Sequence, residues 1–163
     1  MVGTFGEVDF NSWYRFQNIT IPEGADITRA FVTLTAYSDI YTTEPNDTLK
    51  TVIRAEYAAN PLPPSSASDH AGRIRTPQSV EWNITEWEAG EIYSSPDISD
   101  IIQGLVNVHD YSSGAAIQIF HDVTDDVPDV LYQPEAASGE GYITACTMTT
   151  HLSMLRDCIL STL

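Results

Sequence analysis

Residues 27–37 read "ITRAFVTLTAY". Ala30, Val32, Leu34 and Ala36 fall on one side of an extended chain, and Phe31, Thr33, Thr35 and Tyr37 on the other. Side chains alternate faces along a strand, so this period of two predicts a strand with one buried face. The same signature recurs on both sides of it. Upstream, "SWYRFQNIT" (12–20) sets Tyr14 and Phe16 on one face, and "IPEGAD" follows as a turn punctuated by Pro22 and Gly24. Downstream, "LKTVIRAEYA" (49–58) sets Val52, Arg54 and Glu56 opposite Ile53, Ala55 and Tyr57. "SVEWNIT" aligns Val80, Trp82 and Ile84; "AAIQIFH" alternates, and "DVLYQ" (129–133) makes a last short strand. A Pro/Ser/Gly-rich loop is expected from Asn60 to Gln78.

One stretch breaks the pattern. In "SPDISDIIQGLVNVHDYSSG", the residues Ile98, Ile101, Ile102, Leu105 and Val106 form a single stripe at helical spacing. Ser95 is a candidate N-cap, Pro96 suits the first helical position, and Asp97 favours the positive end. The expectation is an all-β fold: a jelly-roll-like antiparallel β-sandwich with one capping α-helix at about residues 96–108, closing the open end of the sandwich.

The 163 residues suffice for one domain with a real core. Residues 1–140 are read as a single β-sandwich domain. The segment 141–163 is an atypical tail holding both cysteines, Cys146 and Cys158. It reads as helical, with Met148, Leu152, Leu155, Ile159 and Leu163 on one face, or as a partner contact. A disulfide scaffold would carry more cysteines, spread through the chain.

Charge excludes more than it assigns. There are 23 carboxylates, 7 bases and a net charge of −16. Such a surface repels nucleic acid and anionic membranes. It suits a halophilic source, or equally an ordinary acidic extracellular domain. No apolar run is long enough for membrane insertion, and "MVGTFGEVDF" lacks the pattern of a signal peptide, so a trimmed leader or leaderless export is expected.

Stretches from Tyr14 to Phe120 carry a family resemblance. "YRFQNITIPEGADITRAFVTLTAYS", "IRAEYAANPLPPSS", "GRIRTPQSVEWNITEW" and "GEIYSSPDISDIIQGLVN" resemble the strand–turn–strand opening and the later Trp-rich strand and helix of DNRLRE-type domains. The resemblance implies a jelly-roll-like sandwich of the kind found in secreted, cell-surface and viral structural proteins. Some relatives in that family are carbohydrate-binding modules, and the family has no general catalytic motif. The resemblance ends near Asp126, where a further strand would be expected; its loss would leave a sheet edge open to pairing.

Chemistry-bearing residues are few. Neither G-x-S-x-G nor H-E-x-x-H occurs, so no residue is assigned as catalytic and the chain is read as not an enzyme. His109 and His121 are read as loop or strand-end residues. "HDVTDDVPD" (121–129) crowds Asp122, Asp125, Asp126 and Asp129, a candidate Ca2+ loop or a solvated acidic turn; no cofactor is required. Trp87 and Tyr93, placed in the loop before the helix, are glycan-stacking candidates, with Arg73 and Arg75 either binding anionic sugars or pairing with carboxylates. Asn18, Asn46 and Asn83 stand in N-x-Thr triplets, which fits a glycoprotein. The expected function is a non-catalytic structural or adhesion module on a virion or cell surface: a coat, decoration or fibre subunit. Its partners would be further copies or a neighbouring structural protein. The alternative is a carbohydrate-binding module of an extracellular polysaccharide-acting protein.

Overall fold

The computed structural model describes residues 2–5, 8–22, 25–37, 39, 41–42, 48–108, 111–112, 114–124, 130–132, 143–147 and 157–161. They are mostly β, as the alternation predicts. Twelve strands occur among them: β1 (Val2–Phe5), β2 (Val8–Phe10), β3 (Ser12–Phe16), β4 (Thr33–Thr35), β5 (Tyr41–Thr42), β6 (Leu49–Ala55), β7 (Val80–Ile84), β8 (Ile92–Ser94), β9 (Ile117–Val123), β10 (Val130–Tyr132), β11 (Ile143–Thr147) and β12 (Asp157–Ser161). Two helices accompany them, α1 (Ala67–Gly72) and α2 (Ser99–Val108). The strands form antiparallel sheets in the orders β2-β1-β10-β5, β3-β9-β6-β7, β4-β8 and β11-β12. The architecture is β-sandwich-like.

The central sheet is β3-β9-β6-β7. Its register pairs Phe16 with Ile117, Tyr14 with Ile119 and Ser12 with His121 across β3 and β9. Ile53 pairs with His121 and Ala55 with Ile119 across β6 and β9, and Thr51 pairs with Trp82 across β6 and β7. Directly opposed residues share a face, so these residues define the inner face. The opposite, outer face carries Trp13 and Arg15, then Gln118, Phe120 and Asp122, then Lys50, Val52, Arg54 and Glu56, then Glu81 and Asn83.

The expected strand over residues 27–37 keeps its alternation but pairs over a shorter length. Ala30, Val32, Leu34 and Ala36 are buried, while only Thr33–Thr35 form the ladder with β8. Beyond the ladder, backbone bonds continue the pairing: Ala36 N–H donates to Glu91 O and Ser95 N–H to Val32 O. Gly90 makes the turn here at φ 84, a conformation that costs a residue with a Cβ. This ribbon, the inner face of the central sheet and α2 enclose one apolar cluster.

The helix starts later than its sequence signals. Ser95 is not its N-cap: the Ser95 hydroxyl accepts from Val32 N–H at 3.0 Å and donates to the Pro96 carbonyl. Ile98 N–H donates to Ala30 O. Asp97 does the capping work instead, accepting from Ser99 N–H at 3.0 Å and Ala30 N–H at 3.1 Å. Burial acts to raise the Asp97 pKa, but these hydrogen bonds outweigh it and hold the carboxyl below its usual value. The apolar stripe is as read: Ile98, Ile101, Ile102 and Leu105 are buried in the core. Each such side chain contributes about 1.5–3 kcal/mol relative to exposure.

Two further expectations are corrected. The loop expected at 60–78 contains α1. Ser66 caps it, its side chain accepting from Asp69 N–H at 3.1 Å. The Asp69 carboxylate reaches back past the cap to accept from Ser65 N–H at 2.8 Å and Ser65 Oγ at 3.0 Å, fastening the residue that precedes the cap. In the tail, β11 pairs with β12, with Cys146 and Cys158 as directly opposed backbone partners. Ile159 therefore lies in a strand, not on a helical face, because 143–147 and 157–161 satisfy each other's backbone groups. Met148, Leu152, Leu155 and Leu163 lie outside the described residues. Among the described residues, no helix is long and apolar enough to cross a membrane.

Candidate functional site

Among the described residues, the side-chain hydrogen bonds and ion pairs of the candidate site gather at two places on the central sheet, one per face. On the outer face, residues 57–78 fold back across β6 and β9. Tyr57 N–H donates to Ile74 O and Thr76 N–H to Ala55 O. Arg15 Nε donates to Pro61 O at 2.7 Å. This cover explains why β9 is buried on both sides: Phe120 is 0% exposed although it points away from the apolar cluster.

Arginine–carboxylate bonds fasten the cover. The Arg73 guanidinium grips Asp69 with two bonds (Nε to Oδ1 2.7 Å, Nη2 to Oδ2 3.0 Å) and reaches Glu56 Oε1 at 2.8 Å. Glu56 is buried on the sheet, and its other oxygen accepts from Gln118 Nε2 at 2.7 Å. Arg75 forks onto Asp122 (Nε to Oδ2 2.7 Å, Nη2 to Oδ1 3.2 Å) and donates to the Arg73 carbonyl at 3.0 Å. Its guanidinium carbon lies 4.3 Å above the Phe120 ring centroid, a cation–π contact. His70 meets the same ring edge-on at 4.9 Å. The side-chain hydrogen bonds from Arg73 drive the Asp69 pKa far below the usual carboxylate range. Desolvation, with repulsion from Arg75 behind it, lowers that of His70.

On the inner face, His121 is 1% exposed and sits between three strands. Its Nε2 lies 2.6 Å from Thr51 Oγ1, its Nδ1 lies 3.4 Å from the Tyr14 hydroxyl, and Trp82 stacks on it at 5.1 Å and 11°. Thr51 Oγ1 donates to the Trp82 carbonyl at 2.7 Å. That bond uses the only hydroxyl proton of Thr51, so Thr51 accepts from His121 Nε2–H. Nδ1 is then the acceptor, and Tyr14 donates to it. The donors run one way: Tyr14 to His121 to Thr51 to the backbone. Burial pushes the His121 pKa down to about 3, and burial raises that of Tyr14. A hydroxyl 2.6 Å from an imidazole is the spacing of a nucleophile and its base. Here Thr51 is itself 1% exposed and its proton is committed, so the pair has no path to a substrate.

The sequence-level candidates fare differently. Trp87 is not a glycan platform. It is 1% exposed and stacks against Tyr93 at 4.7 Å and 16°, within the apolar cluster. Tyr93 belongs to β8 rather than to a loop, packs against the same cluster, and accepts from Glu88 N–H at 2.9 Å. Arg73 and Arg75 pair with carboxylates, the second of their two readings. Asp122 is not a loop residue: it stands in β9 and its carboxylate is held by Arg75. Asp125, Asp126 and Asp129 lie outside the described residues, among which no group of three or more metal-ligating side chains occurs. His121 is no strand-end residue but the middle of the core; His109 lies outside the described residues. Asn18 and Asn83 are exposed, and Asn46 lies outside the described residues. The chain matches no protein-family model, no curated protein and no solved structure.

Proposed function

We propose that this chain is a non-catalytic structural or adhesion module of a virion or cell surface, which works by presenting surfaces to other macromolecules rather than by transforming a substrate. The observation that carries the reading is how its chemistry-bearing groups are employed. Arg73, Arg75, Asp69, Glu56 and Asp122 pair with one another across the back of the sheet, and His121, Thr51 and Tyr14 hydrogen-bond one another inside it. Function on such a scaffold resides in its outward faces. The resemblance to DNRLRE-type domains in structural proteins agrees with this reading.

Light scattering on the full chain tests it. A structural subunit gives a concentration-dependent mass above the 18.0 kDa of one chain and releases no reducing ends or unsaturated sugars from polysaccharides. A strict monomer that cleaves a polysaccharide would refute the proposal.

A further inference from the structure

The distribution of basic residues on this acidic chain is uneven. Five of the seven, namely Arg15, Lys50, Arg54, Arg73 and Arg75, lie on or over the outer face of the β3-β9-β6-β7 sheet. Among the described residues, four carboxylates share that face: Glu56, Asp69, Glu81 and Asp122. The other described residues hold nine carboxylates and one base. Among the described residues, this face is thus near neutral or slightly positive while the rest is strongly negative.

Arg73 and Arg75 consume three of the four carboxylates. Arg54 makes no hydrogen bond or ion pair among the described residues. Among the described residues, Arg15 commits only Nε, to the Pro61 carbonyl, and its two terminal nitrogens make no hydrogen bond. The register places these groups around an aromatic row, in which Trp13 on β3, Phe120 on β9 and Arg54 on β6 stand side by side. Phe120 is covered, but Trp13 remains 38% exposed, with Arg15 two residues along on the same face. A partly exposed tryptophan beside the half-buried Arg15, with Arg54 on the far side of the covered Phe120, has the composition of an interface centre rather than of an ordinary solvated surface.

Resting on the structural reading above, we infer that this face is where a second copy of the chain docks, seating part of its acidic exterior against Trp13, Arg15 and Arg54. Charge complementarity selects the occupant. Each copy carries one near-neutral face with two unpaired guanidiniums among its described residues and a surplus of carboxylates over the other described residues, so head-to-tail contacts suit both copies, and such heterologous contacts can extend into chains. Guanidinium forks match carboxylates bidentately, and the arginines are held in register by the sheet.

Salt should act in two directions. At about 0.01 M the Debye length is about 30 Å, and two chains of charge −16 repel as wholes. At about 0.15 M it is about 8 Å, so only facing groups count, and the patch attracts. At about 1 M the attraction is itself screened.

The experiment is sedimentation of the full chain at these three salt levels, for wild type, Arg54→Glu, Arg15→Glu and Arg29→Glu. Arg29 is exposed and lies off this face, so its reversal changes net charge equally. Association should peak near the middle salt level. It should weaken roughly tenfold or more, equivalent to about 1.4 kcal/mol, in Arg54→Glu and Arg15→Glu but not in Arg29→Glu. Circular dichroism verifies folding, and the two variants serve as independent checks. If wild type associates and all three reversals weaken it alike, or none does, the docking face is wrong while the structural reading stands. A monomer at every salt level overturns self-docking, and only a monomer that also cleaves a polysaccharide overturns the structural reading. A monomer that instead binds polyglutamate through Arg54 overturns self-docking.

Discussion

Acidification should destabilise this fold through His121, beginning well above the range in which carboxylates titrate. The folded state holds His121 at a pKa of about 3 by burial, against an ordinary value of 6.5. Between these values the unfolded chain binds a proton that the native chain refuses, so stability falls as pH falls. This contribution is intact above about pH 6.5 and lost progressively down to about pH 3. At pH 5 the unfolded histidine is mostly protonated, and the linkage amounts to about 2 kcal/mol; at pH 4 it reaches about 3 kcal/mol. Protonation also breaks the directed chain, because a protonated Nδ1 becomes a donor facing the donating Tyr14 hydroxyl. The assay is urea denaturation at half-unit steps from pH 7.5 to pH 4, run beside His121→Gln, whose amide keeps a donor near Thr51 but does not titrate. Wild type should lose stability steadily below pH 6.5 and the variant should lose less. An NMR titration in which the His121 ring protonates near pH 6 in the folded protein, or equal slopes for both chains, would refute the reasoning.

Two other substitutions probe the same core. Thr51→Val keeps the side-chain shape but leaves His121 Nε2–H and the Trp82 carbonyl without their partner; it should cost about 1–3 kcal/mol by chemical denaturation, with Thr51→Ser recovering most of the loss. Trp87→Ala empties a site that is 1% exposed; it should cost about 3–5 kcal/mol and lower the thermal midpoint, whereas an unaltered midpoint would show that the ring does not pack against Tyr93.

Legibility in the sequence followed the reach of local periodicity. A period of two states which side of a strand is inward, and Ala30, Val32, Leu34 and Ala36 are all buried as their spacing predicts. The stripe from Ile98 to Leu105 works in the same way at a period of 3.6. Competition from distant partners was not legible. Ser95-Pro96-Asp97 has the composition of a helix start, yet the Ser95 backbone and hydroxyl are committed to Val32, sixty-three residues away in sequence, and the helix begins only where Asp97 can cap it. For α1 a local signal did exist, Ser66 three residues before Asp69, but proline-rich surroundings obscured it. Trp87 stands outside any strand, so no alternation marks it as inward. His121 alternates with Ile119 and Ile117 and was legible as inward on that ground; its neighbouring Asp122 suggested a polar loop instead.

The outer-face network has a similar explanation. Glu56, Gln118 and Phe120 alternate away from the apolar cluster, and sequence alone assigns such residues to solvent. Their burial depends on residues 57–78 returning across the sheet, a non-local event that period-two reasoning does not register. The arginines in "GRIRT" contain the clue. Arg73 and Arg75 are separated by one residue, so both can project toward the same face, and their partners Glu56 and Asp122 sit on adjacent strands of that face. Ion pairs in such half-buried positions add little net stability, because desolvation offsets most of the attraction. What two such pairs supply is alignment: a slip of the returning segment by one residue would turn both guanidiniums away and leave Glu56 buried without its cation. Among the described residues, the same alignment leaves Arg15 and Arg54 beside the covered strip without carboxylate partners, and the proposed docking of a second copy rests on these two groups.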